Sequence, residues 1–263
     1  MYLYGFVPSD AAPPSNLIGI GGRKVELIRT AGFQAALSRV PRETYDPARI
    51  ETRLQDLSWV AEQGIAHESV VAWFVDNAQI LPVPLFTMYS GDDALEQTVA
   101  QRAASIEAEL VRLRGKREWD IKVSFNETDL EQHAAALSPR IAELDAEIAA
   151  ASPGKRYLLQ KKRSDLLKSE SRKAAREQAQ QVIDRSSALV IDTRTLPIPR
   201  TADELPVIAY AALLVERISE SELIALLEAE SARLKTLGMD LTFSGPWAPY
   251  RFTGDHERAA ANG

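Results

Sequence analysis

The clearest strand signal in the chain is Glu118-Trp119-Asp120-Ile121-Lys122-Val123-Ser124-Phe125. Large apolar residues alternate with polar ones at a period of two, which predicts a strand with one buried face. Helical patterns follow directly. Further strand candidates lie at 189–191, 195–198, 207–218 and 241–243, and a helix is predicted between the last two.

The order of these elements is strand, helix, strand, strand, helix, strand, which is the split βαβ order of ferredoxin-like folds. We therefore predict a modified ferredoxin-like domain over residues 115–245, with a helical insertion at about 127–188. The helix after residue 218 is expected to begin with a capping box, because Ser219 precedes Glu222 by three residues. Gly238 is expected to end that helix.

Residues 1–114 are predicted to form a separate α+β domain. Strands are expected at 25–28 and 33–40, and a helix capped by Asp46 should carry Leu57 and Ala61 on its apolar face. A second helix is expected at 66–77. The segment 80–87 contains two prolines and should be an edge strand or an extended loop. Asp92 or Asp93 should cap a last helix, which ends at Gly115.

The inserted helices predict a hairpin. Apolar residues recur at spacings of four and three from Leu130 to Ala151, and Ser138-Pro139 should divide this run into two short helices. Charges from Glu127 to Ile148 are acidic except for Arg140, whereas the segment 155–185 is strongly basic. An acidic and a basic helix joined by a tight turn should fold back antiparallel and neutralise each other.

Composition and charge limit the classes of function. The 263 residues carry 31 basic and 37 acidic side chains, a net charge of −6, so the whole chain has no field that attracts nucleic acid or anionic lipid. The absence of cysteine excludes disulfides and thiolate chemistry and suits a reducing compartment. Neither a secretory signal nor an apolar run of membrane-spanning length is recognised. We expect a cytoplasmic protein that binds neither nucleic acid nor a lipid membrane.

No arrangement of residues predicts a catalytic, cofactor or metal site. The histidines are His67, His133 and His256, and no spacing places two of them on one metal ion. His67-Glu68 begins a zincin-like pattern, but Val71 stands where the second histidine would be. An acid–base pair of His67 and Glu68 remains a remote alternative, and a structural hydrogen bond is favoured.

The C-terminal segment Phe243–Phe252 is unusually aromatic. Two prolines deny it a helix or a central strand, so it should run extended with its rings in surface grooves. We predict that Trp247, Tyr250 and Phe252 pack across the two domains as an interdomain tail, residues 246–263. An external docking peptide is the alternative interpretation.

At this tail the sequence resembles a known family. Gly245–Phe252 resembles the C-terminal Gly-Pro-Trp-Pro-Pro-Tyr-x-Phe of the GvpF/GvpL gas vesicle proteins, with Ala248 in place of a proline. Further segments resemble the family in the same order along the chain. They are Tyr2–Gly5, Ala66–Glu68, Gly115–Val123, Gly154–Leu158 and Ala209–Val215.

The resemblance implies two α+β domains, no catalytic activity and no cofactor. It implies an accessory or minor structural protein of gas vesicle formation, either a gas-facing component or a chaperone-like factor. The partners implied are the small hydrophobic shell protein GvpA and other gas vesicle accessory proteins. The localisation implied is cytoplasm and gas vesicle. A helical-hairpin adaptor unrelated to flotation is the alternative drawn from the residues alone.

One prediction follows from the charge pairing of the hairpin. Labelled DNA should migrate unchanged in a gel when the protein is added at physiological salt, because the acidic helix offsets the basic one. A retarded band that disappears steeply as salt rises would contradict the paired-helix interpretation.

Overall fold

The computed structural model describes residues 1–30, 32–198 and 205–254. It contains two compact units: one comprises Met1–Glu118 and the chain from Pro246 onward, and the other comprises Trp119–Gly245. The strands are β1 (Tyr2–Pro8), β2 (Glu26–Arg29), β3 (Phe33–Ser38), β4 (Leu81–Pro82), β5 (Lys116–Phe125), β6 (Val190–Thr195), β7 (Val207–Glu216) and β8 (Met239–Trp247).

The α-helices are α1 (Arg42–Tyr45), α2 (Pro47–Arg53), α3 (Leu57–Asn77), α4 (Asp92–Arg112), α5 (Glu127–Gln132), α6 (Ala134–Leu137), α7 (Pro139–Ala150), α8 (Pro153–Ser186) and α9 (Glu220–Lys235). Short 3₁₀ helices lie at Ile20–Gly22, Arg217–Ser219 and Tyr250–Phe252. The fold is mixed α/β with two four-stranded sheets. The boundaries predicted for independently folding domains stay predictions.

The first unit has the strand order β2-β3-β1-β4. β1 pairs antiparallel with β3 and β4, and β2 pairs antiparallel with β3. The proline-containing β4 lies at a sheet edge, as predicted for 80–87. Proline has no backbone N–H to donate, so it is tolerated at an edge and not in a central strand. The buried face of α3, which includes Val70, Val71 and Phe74, packs into the same core as Tyr2 and Tyr4 of β1.

Helix boundaries in this unit differ from the prediction. Asp46 caps α2 by accepting from the Ala48 amide, as predicted, but α2 ends at Arg53. A new helix begins at Leu57 because the Asp56 carboxylate accepts from the amides of Ser58 and Trp59. The predicted start of a helix at Ala66 was therefore wrong. Gly91, not Asp92 or Asp93, occupies the N-cap of α4, and both aspartates lie in its first turn.

The second unit has the strand order β6-β7-β5-β8. Trp119, Ile121, Val123 and Phe125 of β5 are all buried in its core, which confirms the period-two prediction. A single strand, β6, stands in place of the two candidate strands at 189–191 and 195–198. It pairs antiparallel with β7 and ends at Thr195, so residues 196–198 lie outside it. Ser219 precedes α9 without a side-chain capping bond, so the predicted capping box was wrong.

The predicted hairpin is present as α7 and α8. Arg163 binds Asp145, and the Arg140 guanidinium lies 2.9 Å from the Glu170 carboxylate. Since the residue number rises along one helix as it falls along the other, these ion pairs show that the helices run antiparallel. Apolar residues of the two helices meet in a small core: Ile141 and Leu144 come from α7, and Leu159 and Leu166 come from α8.

Two glycines with positive φ allow a matched test of steric crowding. Gly238 has φ +74°, and an added Cβ would lie 2.7 Å from the Asp129 carbonyl carbon, whereas Gly115 has φ +67° with nothing within 4 Å. Gly115→Ala should lower the free energy of unfolding by about 1 kcal/mol for the left-handed backbone alone. Gly238→Ala should cost roughly 1–3 kcal/mol more because of overpacking. Urea unfolding of both variants measures the difference, and equal losses would contradict the steric account.

Candidate functional site

The C-terminal tail packs within the first unit. β8 ends at Trp247, which is 38% exposed, and Ala248 is fully buried in the core that contains Tyr2 and Phe74. The chain then makes a 3₁₀ turn at Tyr250–Phe252, and the Phe252 ring is fully buried. The predicted extended course therefore ends at Trp247. Pro246 is tolerated within β8 because β8 is an edge strand.

Tyr250 joins a chain of hydrogen bonds through the imidazole of His67. The Tyr2 hydroxyl lies 2.6 Å from His67 Nδ1, and the Tyr250 hydroxyl lies 2.9 Å from Nε2. Tyr2 accepts from the Phe86 amide, so its own proton is available to Nδ1. The network then assigns the His67 proton to Nε2, which donates to Tyr250, and Tyr250 donates to Glu68 Oε2 at 3.3 Å.

Burial sets the protonation of this cluster, which we call the imidazole cluster: Tyr2, His67, Glu68 and Tyr250. Desolvation lowers the pKa of His67 from 6.5 to about 4, because the residue is buried and only 3% exposed. Desolvation also raises the pKa of Glu68, and it raises the phenol pKa of Tyr2 and of Tyr250. At neutral pH the imidazole is therefore uncharged, as the single donor and single acceptor of the network require.

Charged groups hold the backbone of the tail next to this cluster. Glu118 is 1% exposed; its carboxylate accepts from the Arg251 amide at 2.9 Å and forms an ion pair with the Arg251 guanidinium. Arg112 donates to the Phe252 carbonyl and binds the buried Glu109 at 2.7 Å. Charge-assisted bonds to backbone groups fix the position of the turn.

The geometry favours a structural role for His67 over a catalytic one. Both of its ring nitrogens are already hydrogen-bonded to phenol hydroxyls, so neither nitrogen is free to bind a substrate in this structure. His133 Nδ1 bonds the Asp129 carbonyl of its own helix, and His256 lies outside the described residues. Within the described ranges, no group of three or more His, Asp or Glu residues could hold a metal ion.

The three tail residues predicted from the sequence do not all lie in the same environment. Tyr250 and Phe252 come together on the first unit with His67 and Glu68, whereas Trp247 is more exposed. Their predicted interdomain role stays a prediction. Sequence reasoning used Tyr2 only as part of the family match at Tyr2–Gly5 and missed its contact with His67, because Tyr2 and Tyr4 are equivalent phenols in an otherwise apolar strand.

The fold is shared with solved gas vesicle proteins. The chain superposes on the crystal structure of GvpF from Microcystis aeruginosa with a TM-score of 0.67 and 20% identity, covering 95% of this chain and 97% of that one. GvpF from Anabaena sp. PCC7120 gives 0.68 and 19% identity over 95% and 96% of the two chains. At these identities the comparison shows the fold.

The sequence itself shows the family. The family model for gas vesicle synthesis protein GvpL/GvpF matches residues 1–254, and the chain belongs to this family. Gas vesicle protein L of Streptomyces sp. (strain CB03234) is 27% identical, over 96% of this chain and 92% of that protein. Gas vesicle protein L2 of Halobacterium salinarum is 26% identical, over 97% and 91%.

Family membership supports a role in gas vesicle formation, and the family is not one of known enzymes. Among the helices of the described chain, none combines the length and apolar character needed to cross a bilayer.

Burial of the tail rings leads to a graded prediction. Phe252→Ala should lower the free energy of unfolding of the first unit by roughly 3–5 kcal/mol, because the ring is fully enclosed. Trp247→Ala should cost clearly less, since over a third of that side chain is already in water. Chemical unfolding followed by circular dichroism measures both, and equal losses would contradict the packing of the turn.

The lowered pKa of His67 predicts that acid destabilises the folded protein. The pKa of His67 is about 4 in the folded protein and 6.5 in the unfolded chain. The unfolded state therefore binds more protons than the folded state between pH 4 and pH 6.5. The contribution of His67 is fully present above pH 6.5, and roughly 3 kcal/mol is lost as pH falls toward 4. The raised Glu68 pKa acts in the opposite direction.

A Glu68→Gln background removes that opposing titration. In it, we expect the free energy of unfolding to fall with pH when His67 is present and to fall less when His67→Gln is added. Urea unfolding between pH 7 and pH 4.5 measures both profiles. Parallel profiles would show that His67 titrates normally in the folded state.

Proposed function

We propose that this protein is an accessory or minor structural protein of gas vesicle formation that binds the small hydrophobic shell protein GvpA. The observation that carries the proposal is the family match over residues 1–254, which spans both units and the tail. The protein acts in the cytoplasm and at the gas vesicle, either as a gas-facing minor component or as a chaperone-like assembly factor. Other gas vesicle accessory proteins are further partners, and no cofactor is needed.

The second unit is proposed to be a modified ferredoxin-like domain. When β5 is counted as the first strand, the strand order is 2-3-1-4. The helices from Glu127 to Ser186 connect the first strand to the second, and α9 connects the third to the fourth. These features support the split βαβ description with a helical insertion.

Gene deletion and complementation test the function. Removing this gene from a gas vesicle gene cluster should abolish or misshape the vesicles seen by electron microscopy, and the wild-type gene should restore them. Tagged protein should retain GvpA through purification from co-expressing cells. Normal vesicles in the deletion strain, or purification without GvpA, would reject the proposal.

Two further measurements separate the alternatives. Floated vesicles washed with urea should keep a gas-facing component and lose a cytoplasmic assembly factor. The His67→Gln variant should restore vesicles at a temperature where it remains folded, because the histidine has no chemical step. A folded His67→Gln protein that fails would favour the remote enzyme alternative with His67 and Glu68.

A further inference from the structure

The end of the helical hairpin exposes apolar and cationic side chains together. Tyr157 is 69% exposed and Leu158 is 66% exposed, although both are large residues that a fold ordinarily buries. We call this surface the hairpin tip and define it by Lys155, Arg156, Tyr157, Leu158, Lys161 and Lys162, all exposed. Leu159 and Leu166, which lie between or just beyond these residues along α8, instead pack against Ile141 and Leu144 of α7.

The charges of the hairpin tip lack the neutralisation found along the body of the hairpin. Arg163 and Arg172 pair with Asp145 and Glu127, but in the part of the chain that the structure describes, Lys155, Lys161 and Lys162 form no ion pair. The first turn of α8 also has no acidic residue and no side-chain cap. Cations there oppose the helix dipole, so an acidic partner would relieve an unfavourable local arrangement.

A second exposed surface has the opposite charge. Leu57, Ala61 and Ile65 recur at a spacing of four and lie on one side of α3. Leu57 is 79% exposed and Ile65 is 70% exposed. Exposed Asp56 and Glu62 flank these residues, and α3 contains no lysine or arginine. The Arg53 guanidinium, 4.2 Å from the centroid of the Trp59 ring, offsets only part of this charge, so the surface stays net acidic. We call this surface the α3 stripe.

We propose that the hairpin tip of one copy of this protein docks on the α3 stripe of a second copy. Tyr157 and Leu158 would cover the apolar residues of the stripe, and Lys161 or Lys162 would pair with Glu62. Of the pairings that these two surfaces allow, tip with tip brings cations together and stripe with stripe brings carboxylates together. Only tip with stripe is complementary in charge.

The contact is heterologous, because each copy contributes a different surface. Such contacts join copies head to tail and build rings or linear assemblies rather than a closed two-fold dimer. Each surface contains far fewer residues than the roughly 20–30 per partner of a stable interface, so the association is weak and grows with local concentration. This inference goes beyond the proposed function, since it requires no shell protein.

The absence of cysteine permits a direct test on the purified full chain. Leu158→Cys and Ile65→Cys proteins are mixed and treated with a short bismaleimide linker. The control mixture replaces Ile65→Cys with Val111→Cys, a residue of matched 65% exposure on α4. We expect at least about fivefold more linked heterodimer in the first mixture, and less as salt screens the charges.

Charge reversal tests the pairing within the same assay. Lys161→Glu with Lys162→Glu on the tip partner, or Glu62→Lys on the stripe partner, should each lower the yield at least about threefold, and combining them should restore it. Circular dichroism verifies that these surface variants fold.

Equal yields in the first mixture and the control overturn the proposal. So does preferential linking of Leu158→Cys to its own kind, or loss of the linked heterodimer when GvpA is added in equimolar amount. The assay uses the isolated chain, so its failure is distinguishable from failure of the gene-deletion test.

Discussion

A single buried imidazole connects two distant parts of the chain. His67 accepts from Tyr2 on β1 at one nitrogen and donates to Tyr250 of the tail at the other. A neutral imidazole has one donor and one acceptor, so the arrangement is satisfied only while the ring is uncharged. Burial maintains that state by lowering the His67 pKa. The core of the first unit and the position of the tail are therefore joined through this ring.

The charged residues around the tail strengthen the same constraint. Glu118 and Glu109 are almost fully buried, and each carboxylate is paired with an arginine. Removing one partner of a buried pair leaves an uncompensated charge, which costs more than the pair itself contributes. The bond from Arg112 to the Phe252 carbonyl and the pair of Arg251 with Glu118 therefore fix the tail with a precision that apolar packing of Phe252 alone would not provide. The hairpin uses charge differently, since its pairs are more exposed and its tip remains cationic.

Local patterns in the sequence predicted the elements whose causes are local. The period-two run in β5 and the Asp46 cap depend on neighbours within a few residues, and both are confirmed. The α7–α8 hairpin could be predicted because a short connection and opposite charges limit its geometry. The break between α2 and α3 was missed because the apolar spacing continues across it, while the capping Asp56 resembles an ordinary surface residue.

The candidate site was predictable only in part, because its contacts are long-range. His67, Glu68 and the tail rings were singled out by residue type and by clustering, but nothing local connects His67 with Tyr2 or Tyr250. Ser219 illustrates the converse: its capping box is correct in sequence, yet the 3₁₀ turn at 217–219 leaves the side chain without its bond. Long-range contacts decided the first case, and the local 3₁₀ backbone decided the second.

The discontinuity of the first unit has a consequence during translation. Residues 1–118 leave the ribosome before residues 119–245, and the residues that complete their core follow only afterwards. At 5–20 residues per second this interval is on the order of ten seconds. Throughout it, His67 Nε2 lacks its phenol and Glu118 lacks Arg251. The nascent first unit is therefore incomplete until the tail has emerged, which delays its mature surface until synthesis of the second unit is over.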